Sequence, residues 1–290
     1  MFRPEVKGDS MKNYLSIISI VFTLLLSLMF SNAFSAQFDA SVPPKGSIYI
    51  KLFPEVFVTN VKFNDSGTAV SLPNVSAISI INTKIELYYS FTNAIMAGFM
   101  FPVDYIRESY TTNKKQESMD LINPWFIIQH QFLSKMICSA SSIRIKIPIQ
   151  EFNPIKEGFD IDDKQFDIYP IYYFDWQSAI GIYIYNQLGY KFRLKNDTIK
   201  PGNELKVLIE TGYAIVPGII RIFTCSEITR YFKGKINDEI TKSGYIYSIG
   251  AGVRFMIGRN LRIEIVTKAD PLGRNQFRGI GGHAGIGYVF

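Results

Sequence analysis

The chain has 290 residues, of which 47% are hydrophobic and 14% aromatic while only 19% are charged, and its mean hydropathy is just +0.09. Two cysteines, Cys138 and Cys225, exclude a disulfide scaffold. The formal charge of +6 would suit a nucleic-acid partner, but the basic residues are scattered rather than clustered, so no nucleic-acid partner is expected.

In chain order, the first element comes after Met11-Lys12: "NYLSIISIVFTLLLSLMF" is uncharged and leads into the small-residue stretch "SNAFSA". A basic start, an apolar middle and a small-residue exit read as a secretory signal over residues 1–36, with Met11 as the better start and cleavage after Ala33 or Ser35. The run is nearly long enough to span a bilayer, so an uncleaved anchor is the alternative. After Ala36 no other run approaches the ~18 apolar residues of a membrane helix. The exported part, 37–290, is therefore either soluble or a membrane barrel.

Over this part apolar and polar residues alternate. In "AIGIYIYNQLGYKFRL", Ile180, Ile182, Ile184, Leu188, Tyr190, Phe192 and Leu194 share one face, and Tyr183, Tyr185, Gln187, Lys191 and Arg193 share the other. "SSIRIKIPI" sets four isoleucines against Arg144 and Lys146, and "ELKVLIETGY" sets Leu205, Val207, Ile209 and Tyr213 against Glu204, Lys206 and Glu210. "YIYSIGAGVRF" and "LRIEIVTK" do the same with Arg254, Arg262, Glu264 and Lys268. Walking the chain predicts strands near 47–63, 75–91, 94–107, 121–133, 137–149, 166–175, 178–194, 203–214, 218–229, 243–257, 261–269 and 278–290.

The connections run long, short, long, short throughout, from "NDSGTAVSLPN" and "TN" to "GRN" and "DPLGRNQ". That rhythm is expected of a transmembrane antiparallel β-barrel of about twelve strands, with tight turns at the periplasmic rim and longer loops outside. A soluble β-sandwich also alternates, but its strands usually average ~5–6 residues. The expected fold class is all-β, and the expected location is the outer membrane of a double-membrane bacterium. The final strand ends on Ile286, Tyr288 and Phe290 at spacing two, which resembles the signal read by the barrel-insertion machinery. That machinery and the outer-membrane lipid are the expected partners.

These segments also resemble a known family. "VPPKGSIYIKL", "FNDSGTAVSLPN" and "ELYYSFTNAIMAGFMFPVDYI" are similar to the opening of outer-membrane proteins of the meta-pathway phenol-degradation family, with Tyr88, Tyr89, Thr92, Asn93 and Pro102 in corresponding places. Ser90 and Phe91 replace the family's Gly and Leu-like residue, and the Thr and Gly of its "P-T-G-D" strand end are missing after Pro148. "YNQLGYKFRL", "GAGVRFMIGRNLRIEIVTKADPLGRNQ" with Gly273, Arg274 and Asn275, and "GIGYVF" match more closely. The resemblance runs from Val42 to Phe290 and implies a barrel of about twelve strands that passes small, often hydrophobic, compounds; it does not imply phenol.

Chemistry is sparse. The histidines are His130 and His283; His130 and Ser134 are about 13 Å apart along a strand, too far for a nucleophile and base. The reading is no enzyme and no catalytic residue. The loop "EGFDIDDKQFD" groups Glu157, Asp160, Asp162, Asp163 and Asp167, but it lacks the glycine and closing glutamate of a calcium loop and reads as a solvated outside loop, so neither metal nor cofactor is expected. The inward positions are more informative: Lys84, Glu86, Arg144, Lys146, Tyr183, Tyr185, Gln187, Lys191, Arg193, Glu204, Lys206, Glu210, Arg254, Arg262, Glu264 and Lys268. Basic residues outnumber acidic ones here, which in a wide pore favours anions, whereas in a narrow one the same side chains cross-link into a plug. Passive passage of small solutes is the expected function. A plugged structural or adhesive barrel is the alternative, and a lipid-modifying enzyme ranks below it. The segment "FSAQFDASVPPKG" before the first strand is the only candidate plug, and it is short.

Overall fold

A computed structural model describes residues 40–290 apart from 113, 122, 135–136, 149–164, 179, 195–198, 217–218, 237–238 and 259. The signal segment and most of the acidic loop lie outside the described residues, and so does the plug candidate before Ala40.

Twelve antiparallel strands close into a barrel. They are β1 (Ile48–Phe63), β2 (Val75–Ser90), β3 (Ile95–Tyr110), β4 in two pieces (Lys115–Leu121 and Trp125–Ser134), β5 (Ile137–Lys146) and β6 (Asp167–Gln177). The second half comprises β7 (Ile182–Arg193), β8 (Glu204–Val216), β9 (Ile220–Tyr231), β10 (Gly244–Ile257), β11 (Leu261–Arg274) and β12 (Phe277–Val289). Each strand pairs with its sequence neighbours, and β12 pairs with β1 from Tyr49 opposite Val289 to Lys62 opposite Phe277. Phe290 and Ile48 exchange backbone hydrogen bonds at the end of that ladder. Closure removes the edge that an open sheet would expose to lipid.

The alternation carries through to three dimensions. Val56, Phe99, Ile143, Leu188, Ile228 and Ile280 point outward and are exposed, Ile280 to 70%, while their neighbours at odd spacing turn inward. A strand of 12 residues such as β7 is roughly 40 Å long and, tilted by ~35–45°, spans about 30 Å along the membrane normal, a little more than the ~25 Å apolar band of an outer-membrane barrel. The strand ends therefore stand clear of the hydrocarbon.

The outer connections are shorter than the sequence suggests. The stretch "DPLGRNQ" reads as a loop because of Pro271 and Gly273, yet β11 runs through it to Arg274 and turns at Asn275, which has φ of 53°. Proline is accommodated because the β10–β11 register shifts between Tyr247 and Ile249, so an extra residue bulges there and no ladder hydrogen bond is needed. Much of "ESYTTNKKQESMD" is likewise strand, where Ser109 through Val103 of β3 pair with Lys115 through Leu121. Short pairs Ile199–Lys200, Lys235–Ile236 and Glu239–Ile240 form a small separate sheet from the β7–β8 and β9–β10 connections.

The β1–β12 seam has a particular construction. The inward positions of β12 include Gly279 and Gly285, and the rings of β1 lie over them: an added Cβ would come within 2.3 Å of Phe57 and 2.4 Å of Phe53. Any side chain at either position would push a ring out of the seam.

Candidate functional site

The barrel interior holds a cavity of about 570 Å³ and a second of about 230 Å³ toward β12. Of the sixteen inward residues expected from the sequence, all but Tyr183 line the larger cavity. Tyr183 is fully buried beneath it, and its hydroxyl donates to Glu210 at 2.8 Å.

Each of the nine cations in that set meets a carboxylate. Arg254 forks onto Glu210 through Nη1 (2.9 Å) and Nη2 (3.2 Å) and also reaches Glu264 through Nε. Arg262 and His283 complete the shell of Glu264 at 2.8 and 3.0 Å. Toward the outer mouth, Lys191 lies 3.0 Å from Glu204, which Arg193 also pairs, and Lys146 lies 2.9 Å from Asp167. Between these levels Glu227 bridges Lys206 (2.8 Å) and Lys268 (3.2 Å), Lys84 meets Glu55 (3.4 Å), and Glu86 sits between Lys51 (3.5 Å) and Arg144 (3.9 Å). A charge taken out of bulk water needs such a partner, because its desolvation is otherwise uncompensated.

The partners that the alternation alone does not reveal are mainly acids. Glu55, Asp104, Asp167 and Glu227 join the lining, so it carries ten basic and eight acidic side chains. Basic side chains still outnumber acidic ones, but by ten to eight rather than by the nine to four of the expected set. Glu227 shares a face with Phe223 and Cys225, while Thr224 and Ser226 occupy the other, and polar residues on both faces blur the alternation. Glu55 is masked in the same way by Phe53 and Phe57. Asp167, read as part of the acidic loop, begins β6 and turns into the lumen.

At the periplasmic end, chain preceding β1 lies inside the wall. Val42 packs among Tyr49, Tyr88, Met96, Met100, Trp125, Ile127 and Val289, and Ala40 among Cys138, Ala140, Ile171, Tyr173 and Tyr185. Polar contacts tie this segment to the wall as well: the Val42 amide donates to Gln131 Oε1 (2.8 Å), and Cys138 Sγ donates to the Ala40 carbonyl (3.2 Å). The cysteines are free and buried.

The histidines separate. His283 faces Glu264 and the Phe53 ring, with centroids 4.8 Å apart. His130 is exposed on the outside of the barrel against Phe132. Among the described residues no group of three or more His, Cys, Asp or Glu is arranged to hold a metal ion.

With this geometry in place, three solved structures are informative. An outer-membrane channel from Pseudomonas putida F1 superposes with a TM-score of 0.75 at 10% identity, covering 88% of this chain and 99% of that one. The β domain of the Bordetella autotransporter BrkA superposes at 0.51 and 13%, covering 85% and 100%, and the transport unit of the autotransporter AIDA-I from Escherichia coli at 0.50 and 11%, covering 100% of both. No protein-family model matches the chain, and no curated protein matches it in sequence. At these identities the likeness is one of fold, and the fold is that of outer-membrane β-barrels.

Proposed function

We propose that this outer-membrane barrel is a narrow, channel-like conduit through which small solutes pass passively. One observation carries the reading: a cavity of about 570 Å³ inside the barrel is lined by paired charges together with Phe53, Met100, Trp125, Leu208 and Phe223, and among the described residues a short length of chain around Ala40–Val42 lies across its periplasmic end. Fixed ion pairs hold water without imposing a strong net sign, and the apolar groups among them offer a surface to the non-polar part of a solute. Small amphipathic compounds fit that lining better than hydrocarbons or multiply charged ions. The motif resemblance to the meta-pathway phenol-degradation family, and the printed description of the Pseudomonas putida F1 structure as a channel, support the same reading. Insertion is assigned to the barrel-assembly machinery acting on Ile286, Tyr288 and Phe290, and no reaction is assigned to the chain.

The complete pairing of the lumen cations favours a second reading, a cross-linked interior that conducts nothing and leaves function to the outer loops. Single-channel recording on the refolded protein separates the two, comparing residues 37–290 with a chain that begins at Pro44. Conductance that is small in the longer chain and several-fold larger in the shorter one supports the conduit. A folded barrel silent in both forms sinks it.

A further inference from the structure

Charge on the outside of the barrel obeys a different rule from charge within it. The outward rung formed by Leu188, Val207, Ile228, Tyr247 and Leu272 crosses five adjacent strands and is apolar but for the tyrosine hydroxyl. The next outward rung toward the long connections is Tyr190, Leu205, Arg230, Tyr245 and Arg274. Two arginines and two tyrosines thus stand directly above a hydrocarbon-compatible row, the level at which aromatic girdles meet lipid headgroups. Arg278 projects from the same side on β12, two residues beyond the exposed Ile280.

Arg230, Arg274 and Arg278 are all exposed, and among the described residues none forms an ion pair with a carboxylate within 4 Å, although Arg274 acts on the Asp65 carboxylate from farther off. On the other side of the barrel the outward Arg107 is treated differently, because Glu117 lies directly opposite it on β4 and pairs at 3.5 Å. Arg230 is instead steadied by an aromatic neighbour, with its guanidinium 5.4 Å from the Phe232 ring, and Arg278 lies 5.9 Å from that of Phe63. Beyond them the outer connections add exposed Lys200 and Lys235. The Arg230 guanidinium, at the polar–apolar boundary, backed by an aromatic ring and short of a protein anion, matches a phosphate in geometry and charge, and Arg274 on the same rung adds a second positive charge.

We infer that the outer rim over β9–β12 is a binding site for the phosphate groups of the glycolipid in the outer leaflet. Arg230 and Arg274 are two strands apart, roughly 10 Å, with Tyr245 between them, so one headgroup reaches both. The apolar rung beneath receives its acyl chains. The depth decides the occupant, since an anion held at that height on the outside of a barrel is attached to something that partitions into the bilayer. The site is independent of whether the lumen conducts.

The test uses the full folded barrel in detergent, with binding read by native mass spectrometry. Probes are a bis-phosphorylated lipid A, its dephosphorylated form, and inorganic phosphate. Wild type should retain the phosphorylated lipid. The variant Arg230→Gln/Arg274→Gln should bind it at least tenfold more weakly while keeping wild-type heat-modifiable mobility, and Arg107→Gln should bind normally. Equal retention by the double variant, or equal retention of the dephosphorylated lipid, would overturn the inference. Displacement by equimolar inorganic phosphate would show a free-anion site and overturn it as well.

Discussion

Replacing Arg254 with Met removes the charged hub of the buried ion cluster and keeps a shorter, unbranched apolar stem. The side chain is 4% exposed, and its two carboxylate partners are 6% exposed each. It donates three charged hydrogen bonds, two of them as a fork onto Glu210, and its guanidinium lies 4.8 Å from the Phe223 ring. The three bonds are not additive, because two carboxylates share one cation. The governing quantity is the burial of an uncompensated charge, which costs about 3–5 kcal/mol. Glu264 keeps Arg262 and His283, whereas among the described residues Glu210 keeps the Tyr183 hydroxyl and no cation at that distance, so the cost concentrates on Glu210. Arg254→Met should therefore lose about 3–5 kcal/mol, roughly a hundred- to several-thousand-fold in the folding constant. Arg254→Met/Glu210→Gln should regain a good part of it, because the stranded charge is gone. Urea titration of the barrel in lipid vesicles, read by Trp125 and Trp176 fluorescence and by mobility on cold gels, measures both. A double variant less stable than the single one, or a single variant within about 1 kcal/mol of wild type, would refute the argument.

Glu227→Gln should leave Lys206 and Lys268 without their shared carboxylate and move the reversal potential of the conducting barrel toward anions, while Lys206→Gln moves it the other way; no shift in either would mean that ions do not pass this level. Asp65, in the β1–β2 connection, accepts a hydrogen bond from Lys242 of the β9–β10 connection, which holds the carboxyl below its ordinary 3.8 with help from Asn275. Because the folded value is the lower one, the contact contributes fully above pH 3.8 and fades only as pH falls through the folded value. Amide protection of residues 64–68 should then be flat from pH 7 to about 5 and drop in strong acid, and a drop already at about pH 5 would contradict it. Phe290→Ala should lower the assembled barrel several-fold in cells without reducing export of the chain; normal heat-modifiable barrel at normal level would count against an assembly role for the terminal ring.

The wall was legible because its rule is local. In β7 and β8 each residue's face is set by its neighbour's, and Lys191, Arg193, Glu204 and Lys206 come out inward by counting alone. Counting fails where a strand is apolar or polar on both faces, which is why Glu55 and Glu227 stayed hidden and the lumen looked more basic than it is. It fails again at Asp270-Pro271, where a turn-like sequence sits in a bulge that only the neighbouring strand's register creates. The placement of Ala40–Val42 was out of reach for another reason. It depends on Gln131 and Cys138, 89 and 98 residues away from their partners, and on the shape of a lumen that no single segment encodes.

Rings lie over glycines at several joints of the wall, Tyr169 over Gly189, Tyr183 over Gly212 and Phe223 over Gly252. The joint between β1 and β12 has two such contacts, Phe57 over Gly279 and Phe53 over Gly285. His283 rests on Phe53 and is tied to Glu264 on the strand behind it. This imidazole therefore ties the closing strand to both of its neighbours at one level, to β1 through the Phe53 ring and to β11 through Glu264.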